Sequence, residues 1–205
     1  MDDIARVQYA TWRTAYPRFI PRFAIDAVQP EWLAEQWRAA VTAPPTGHHR
    51  VLVAIEQTDS AAAAPEAASS PPAPLREAPE REAPLREAPE TLVGFAAVGP
   101  ADEAALAPGE TGHQPGLAAF TDLLVEPRWG RRGHGSRLLA AAVDLWREDG
   151  FTGAVAWAFE SDTATVSFLS SAGWEPDGTA RALDVEGVHV PQVRLHVALD
   201  APAAP

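Results

Sequence analysis

Residues 120–146 read FTDLLVEPRWGRRGHGSRLLAAAVDLW, and three kinds of local order follow one another along them. Phe120, Leu123, Leu124 and Val125 form a short apolar run closed by Pro127, which predicts a strand. Gly130 to Gly135 is a turn rich in glycine and arginine. Leu138, Leu139, Ala142, Val143 and Trp146 then recur at helical spacing, and Gly150 is placed to end that helix. Strand, glycine turn and helix together make an anion site. The first N–H groups of a helix lack partners and point at a negative ligand, which the helix dipole favours. Gly133 and Gly135 leave the backbone open to close approach. Arg131, Arg132 and Arg137 add permanent positive charge.

Residue identity excludes two common phosphate loops. A GxxxxGK[ST] loop needs a lysine, and the chain has none; a GxGxxG fingerprint needs glycine where Leu138 stands. The stretch resembles instead the coenzyme A pyrophosphate loop of the GNAT N-acetyltransferase superfamily, [QR]xxGx[GA]. In that family the loop follows a strand ending V-x-P and precedes a helix that begins with paired leucines. Val125-Glu126-Pro127, Gly133-His134-Gly135 and Leu138-Leu139 match it, while Gly130 replaces the usual Gln or Arg and Arg131 stands beside it. The resemblance implies that Leu123, Leu124, Val125, Arg131, Arg132, Gly133, His134, Gly135 and Ser136 bind acetyl-CoA as cosubstrate.

A length of 205 residues suits one domain with a sizeable core. There is no cysteine, so disulfides and thiolate metal sites are excluded. A formal charge of −12 argues against nucleic acid or an anionic membrane as partner. The opening MDDIARVQYATW has neither a leader's nor a membrane span's apolar run, and a cytoplasmic protein is expected. All sixteen basic residues are arginine, and alanine and proline abound, as in high-GC, actinobacterial-type coding sequences.

Residues 2–17 predict a first helix, with Ile4 and Val7 on one side and Trp12 and Tyr16 paired one turn apart; Pro30–Val41 predicts a second. Adjacent His48 and His49 lack a third ligand nearby and read as loop histidines. Residues 50–56 and 91–99 are β-branched and apolar, and predict strands. Between them, 57–90 is rich in Ala, Pro and Glu and repeats APLREAPE from Ala73 and again from Ala83. Closely spaced prolines and scant apolar surface predict a disordered insertion, whose length a hairpin connection tolerates. With seven acids and three arginines it carries −4, leaving −8 on the rest. Residues 117–125 resume as a strand, 152–159 predict a further strand parallel to it, and 184–199 two short strands. Residues 200–205 are expected to be a flexible tail.

The fold expected is α/β (α+β) and of the GNAT type, one domain over residues 1–199 interrupted by the insertion. A mixed central sheet would hold an antiparallel meander and a splayed parallel pair, flanked by about four helices. The pantetheine arm would lie in the splay. Asp162 to Trp174 resembles the family's N-x-x-A-x-x-F-Y-x-x-x-G-F segment. Asp162, an N-cap by residue type and a cofactor-side residue by resemblance, replaces the asparagine, and Leu169 replaces the tyrosine that commonly protonates the departing thiolate.

The implied activity is N-acetyl transfer from acetyl-CoA to an amine by direct attack in a ternary complex, with no metal. Asp122 and Glu160 are the candidate bases, a backbone N–H near Leu124 or Val125 the oxyanion donor, and Ser167 or Ser170 a substitute acid. Trp12 and Tyr16 are candidates for the acceptor side. The partner is a small-molecule or peptide amine; nucleic acid and membrane are not expected, and a homodimer is compatible. The missing tyrosine keeps open an alternative, a non-catalytic acyl-CoA-binding or partner-binding module, and the loop suits longer acyl chains as well.

Overall fold

The computed structural model describes residues 1–57, 90–107, 109–110 and 114–199. Strand β2 (Glu90–Pro100) explains the layering, because its run TLVGFAAVG is buried on both faces. Phe95 and Ala97 pack with Ile4, Val7, Leu33 and Trp37 of α1 (Asp2–Ala15) and α3 (Pro30–Thr42). Ala96 and Val98 face the other way, onto Leu138, Leu139, Ala142 and Trp146 of α4 (His134–Glu148). A strand covered on both sides loses its polar alternation, which is why it reads as a continuous apolar run.

Six strands form the sheet, in the order β1-β2-β3-β4-β6-β5, with β1 (Arg50–Gln57), β3 (Leu117–Val125), β4 (Gly153–Phe159), β5 (Glu175–Val185) and β6 (Val188–Ala198). The β1–β2–β3 meander is antiparallel, as is the β4–β6–β5 half; β3 and β4 are parallel, joined by the α4 crossover. This is the mixed sheet expected. Phe120 anchors the α4 layer, its ring 4.8 Å from Trp146 and 5.7 Å from Trp174. Across the sheet, Trp37 Nε1 donates to the buried Gln8 Oε1 at 2.7 Å and locks α3 to α1.

Several boundaries differ from expectation. The first helix stops at Ala15, and Tyr16–Arg18 make a 3-10 turn around Pro17. A five-residue helix α2 (Arg22–Asp26) follows, too short to show a period. The last two strands are eleven residues each, because β5 begins at Glu175 rather than near Asp184. Asp177, Gly178 and Thr179, between the paired Pro176 and Ala180, form a bulge within the strand. Glu186 and Gly187, both at positive φ, close the hairpin in two residues. Gln57 and Glu90, the predicted ends of the insertion, are strand residues paired with each other. Residues 58–89, and the predicted tail at 200–205, lie outside the described residues. No helix among the described residues is long and apolar enough to cross a membrane.

Candidate active site

β3 ends at Val125, and Glu126 is held behind it by Arg6 Nη1 at 3.1 Å and Arg128 Nε at 2.5 Å. Pro127–Trp129 form a 3-10 turn, and Arg131 (φ 63°) and Gly133 (φ 81°) are left-handed. The chain then enters α4 with no side-chain cap, its first helical bond running from Arg137 N–H to Gly133 C=O. The N–H groups of His134, Gly135 and Ser136 therefore have no partner within the helix. A side chain at Gly133 would meet no atom within 4 Å, so the space before these N–H groups is open. A pyrophosphate fits such a cradle.

The arginines are less uniform than the sequence suggested. Arg131 lines the cavity, while Arg132 stacks over Trp129 at 4.7 Å and lies 3.6 Å from Glu56. The His134 imidazole is buried between Glu56 (3.3 Å) and Arg137 (3.1 Å), so its contribution to the loop is its backbone N–H.

From the loop a cavity of about 860 Å³ runs between β3 and β4. The parallel ladder pairs only Leu117 to Ala119 with Gly153 to Val155, and beyond that the strands diverge. Leu123, Leu124 and Val125 line one side of the opening; Ala156 to Phe159 line the other. Backbone groups on the inner edges of the splay have lost their ladder partners and are free to pair with amides of an extended ligand.

Asp122 faces this cavity because of a bulge. The β2–β3 register slips so that Ala97 opposes Asp122 and Val98 opposes Phe120, leaving Thr121 as an extra residue. Before it, Ala118 and Phe120 face α4; after it, Leu123 and Val125 do, and Leu124 faces α1. The bulge inverts the parity of the strand. Asp122 consequently shares the side of Leu124, toward α1, and Trp12 and Tyr16 line the same cavity. The irregularity of β3 thus lies at Thr121, before the Leu124 and Val125 backbone named as oxyanion donor. Burial pushes the Asp122 carboxyl up to about 7. Burial, then the nearby Asp122 and Asp162 carboxyls, raise the Tyr16 phenol well above its ordinary value and keep it protonated.

Glu160 is not brought to this place. It is exposed just past the end of β4, is absent from the cavity wall, and donates its N–H to Pro191 C=O at 3.0 Å. Asp162 does line the cavity and caps α5 (Thr163–Ser171), accepting from Thr165 N–H at 3.2 Å and from Thr165 Oγ1 at 2.6 Å.

The sequence from residue 49 to residue 174 matches the model of the Acetyltransferase (GNAT) family. The chain belongs to the GNAT family. A Desulfovibrio desulfuricans structure assigned to the same family superposes with a TM-score of 0.58 at 16% identity, over 97% of this chain and 91% of that one. The ribosomal-protein-alanine N-acetyltransferase of Brucella melitensis gives 0.51 at 18% identity, over 84% and 80%. The Escherichia coli ribosomal-protein-S18-alanine N-acetyltransferase gives 0.43 at 16% identity, and the matched 55% of this chain spans 65% of its length. No curated protein matches the sequence. At these identities the structures speak for the fold alone.

As a GNAT protein the chain departs from its family at two places that the geometry clarifies. At Gly130 a Cβ would stand 3.1 Å from Pro127 C=O, so the 3-10 turn is tight against a side chain there. Leu169 is buried in the α4 core. Ser167 and Ser170 are exposed and outside the cavity wall, so neither can stand in for a tyrosine at that position. Hydroxyls that do line the cavity belong to Thr11, Tyr16, Thr121, Ser136 and Thr165. Phe19 and Phe159 also line it and were not singled out from sequence: Phe159 is visible only as the last apolar residue of a strand, and Phe19 lies in a segment without a period. His48 Nδ1 is paired with Asp149 at 3.1 Å and His49 packs under Gly99, as loop histidines do. Among the described residues no three His, Cys, Asp or Glu converge as metal ligands.

Proposed function

We propose that the chain transfers an acetyl group from acetyl-CoA to a primary amine bound beside it. The observation that carries this reading is the joining of an uncapped helix N-terminus, a splayed strand pair and an unpaired carboxylate in one cavity. The N–H groups of His134, Gly135 and Ser136, with Arg131, would hold the pyrophosphate, and the inner edges of β3 and β4 the pantetheine amides. Bound there, the cosubstrate supplies an activated thioester. Asp122, with a carboxyl near 7, removes a proton from the acceptor ammonium at neutral pH. Backbone N–H groups of β3 beyond the ladder's end would donate to the oxyanion. With Leu169 in the core, the departing thiolate needs no tyrosine: an ordinary thiol pKa of about 8.5 makes it a good leaving group.

The same reading takes residues 1–199 as one transferase domain, cytoplasmic and bacterial, with no resident metal. Leu169 also favours a second reading, a coenzyme-binding module without turnover. Calorimetric titration with coenzyme A and acetyl-CoA tests the site. Micromolar binding, weakened at least about tenfold by Gly133→Asp, is expected. No binding by the unaltered protein would defeat the proposal. Turnover is then read as thiol release, which the cysteine-free chain does not obscure; without lysine it has no side-chain amine of its own to acetylate.

A further inference from the structure

Four aromatic rings meet in one part of the cavity wall. Tyr16 is the hub, stacked with Trp12 at 6.3 Å, edge-on to Phe159 at 5.5 Å and to Phe19 at 6.1 Å, while Phe19 stacks on Phe159 at 5.3 Å. All four line the cavity, as does Asp122. Ring faces carry negative potential and attract cations. The Arg18 guanidinium already lies 5.5 Å from the Phe19 centroid, so this group of rings does accept one.

Charges in the wall are few. Asp122 and Asp162 are its carboxylates among the described residues, and Asp162 is engaged by Thr165. Asp122 has no hydrogen-bond or ion-pair partner among the described residues, so one carboxylate is free for one ammonium. Besides the buried His134 and the protonated Tyr16 phenol, the other charged or titratable groups are Arg18 and Arg131, which repel any second positive charge. The remaining wall is largely apolar, including Ile20, Ile25, Val28 and Leu183. A volume of about 860 Å³ must also take the acyl-pantetheine arm, which leaves room for a small acceptor.

Resting on the transferase reading above, we propose that the acceptor is a hydrophobic monoamine, a primary amine on an uncharged aryl or alkyl body. Its ammonium sits at Asp122 and its body among Trp12, Tyr16, Phe19 and Phe159. Polyamines and aminoglycosides find no second unengaged carboxylate there, since Asp162 caps α5 through Thr165. A peptide N-terminus finds few polar groups for its backbone, and each unpaired amide costs binding energy.

The test compares phenethylamine and hexylamine with spermidine and an alanine-terminated peptide, using the full chain and acetyl-CoA. Binding of each amine to the coenzyme A complex is measured separately by calorimetry. Expected is a kcat/KM for the monoamines at least about tenfold above the others, with Trp12→Leu raising the phenethylamine KM about tenfold and leaving coenzyme A affinity unchanged. Phe19→Leu serves the same purpose if Trp12→Leu does not fold. Spermidine or the peptide matching phenethylamine overturns the monoamine class and leaves the transferase standing. Failure of phenethylamine both to bind and to react also overturns it. Monoamine binding without turnover of any amine supports the pocket and defeats the transferase.

Discussion

The carboxyl of Asp122 titrates near 7 because an extra residue, Thr121, turns it toward the α1 side of β3 and into the cavity wall. The rate should therefore follow its ionisation. We expect kcat/KM to rise with pH and level above about pH 7, and Asp122→Asn to lower it by about 10²–10³-fold while removing that limb. Stability should move the opposite way. The folded carboxyl binds its proton more tightly than the unfolded one, whose ordinary value is 3.8, so stability falls as pH rises from about 4 through 7. Asp122→Asn escapes that loss. Urea denaturation should find it more stable by roughly 2–4 kcal/mol at pH 8, and no different below pH 4. Sequence could nominate Asp122, an acid inside an apolar strand, but not its face. Counting alternation from Phe120 puts it under α4, since a bulge leaves no mark in residue type. Glu160 looked equivalent, yet one position past a strand end was enough to expose it.

Two glycines show how an element transmits strain to the site. A Cβ at Gly94 of β2 would lie 2.8 Å from Leu124 C=O and 3.0 Å from the Val125 side chain, so the end of β3 must move to admit it. Gly94→Ala should cost about 2–3 kcal/mol and weaken coenzyme A binding, because the displaced strand is one wall of the splay. Gly133→Ala meets nothing within 4 Å and should lose only about 1 kcal/mol for its left-handed backbone. Thermal melts with parallel calorimetry separate the two. The elements around these glycines were legible because α4 keeps a helical period and β3 a short apolar run. β5 was not. An exposed edge strand has no buried face to enforce alternation, and its bulge at 177–179, after Pro176, has the residue types of a turn.

Across the molecule, long-range charge pairs join segments that sequence order keeps apart. Arg194 of β6, 7% exposed, donates to both Glu110 oxygens at 2.6 and 2.9 Å and to Asp177 Oδ2 at 2.7 Å. It ties the β2–β3 connection to β5. Arg194→Met should destabilise by roughly 3 kcal/mol, read from denaturant midpoints, as it strands two carboxylates. A net charge of −12 concealed this arrangement, because composition counts charges without pairing them. The three residue pairs that join β3 to β4 give the sheet a mechanical character as well. Each antiparallel half is a stiff leaf, and the short ladder is the spine of a book. A ligand lying in the gutter binds the leaves together, so its affinity includes the work of holding the book at one angle. Those amide hydrogens of 120–125 and 156–159 that point into the gap, unlike their alternates bonded to β2 or β6, should then exchange faster in the unliganded protein and slow together, by at least about tenfold, when coenzyme A is bound.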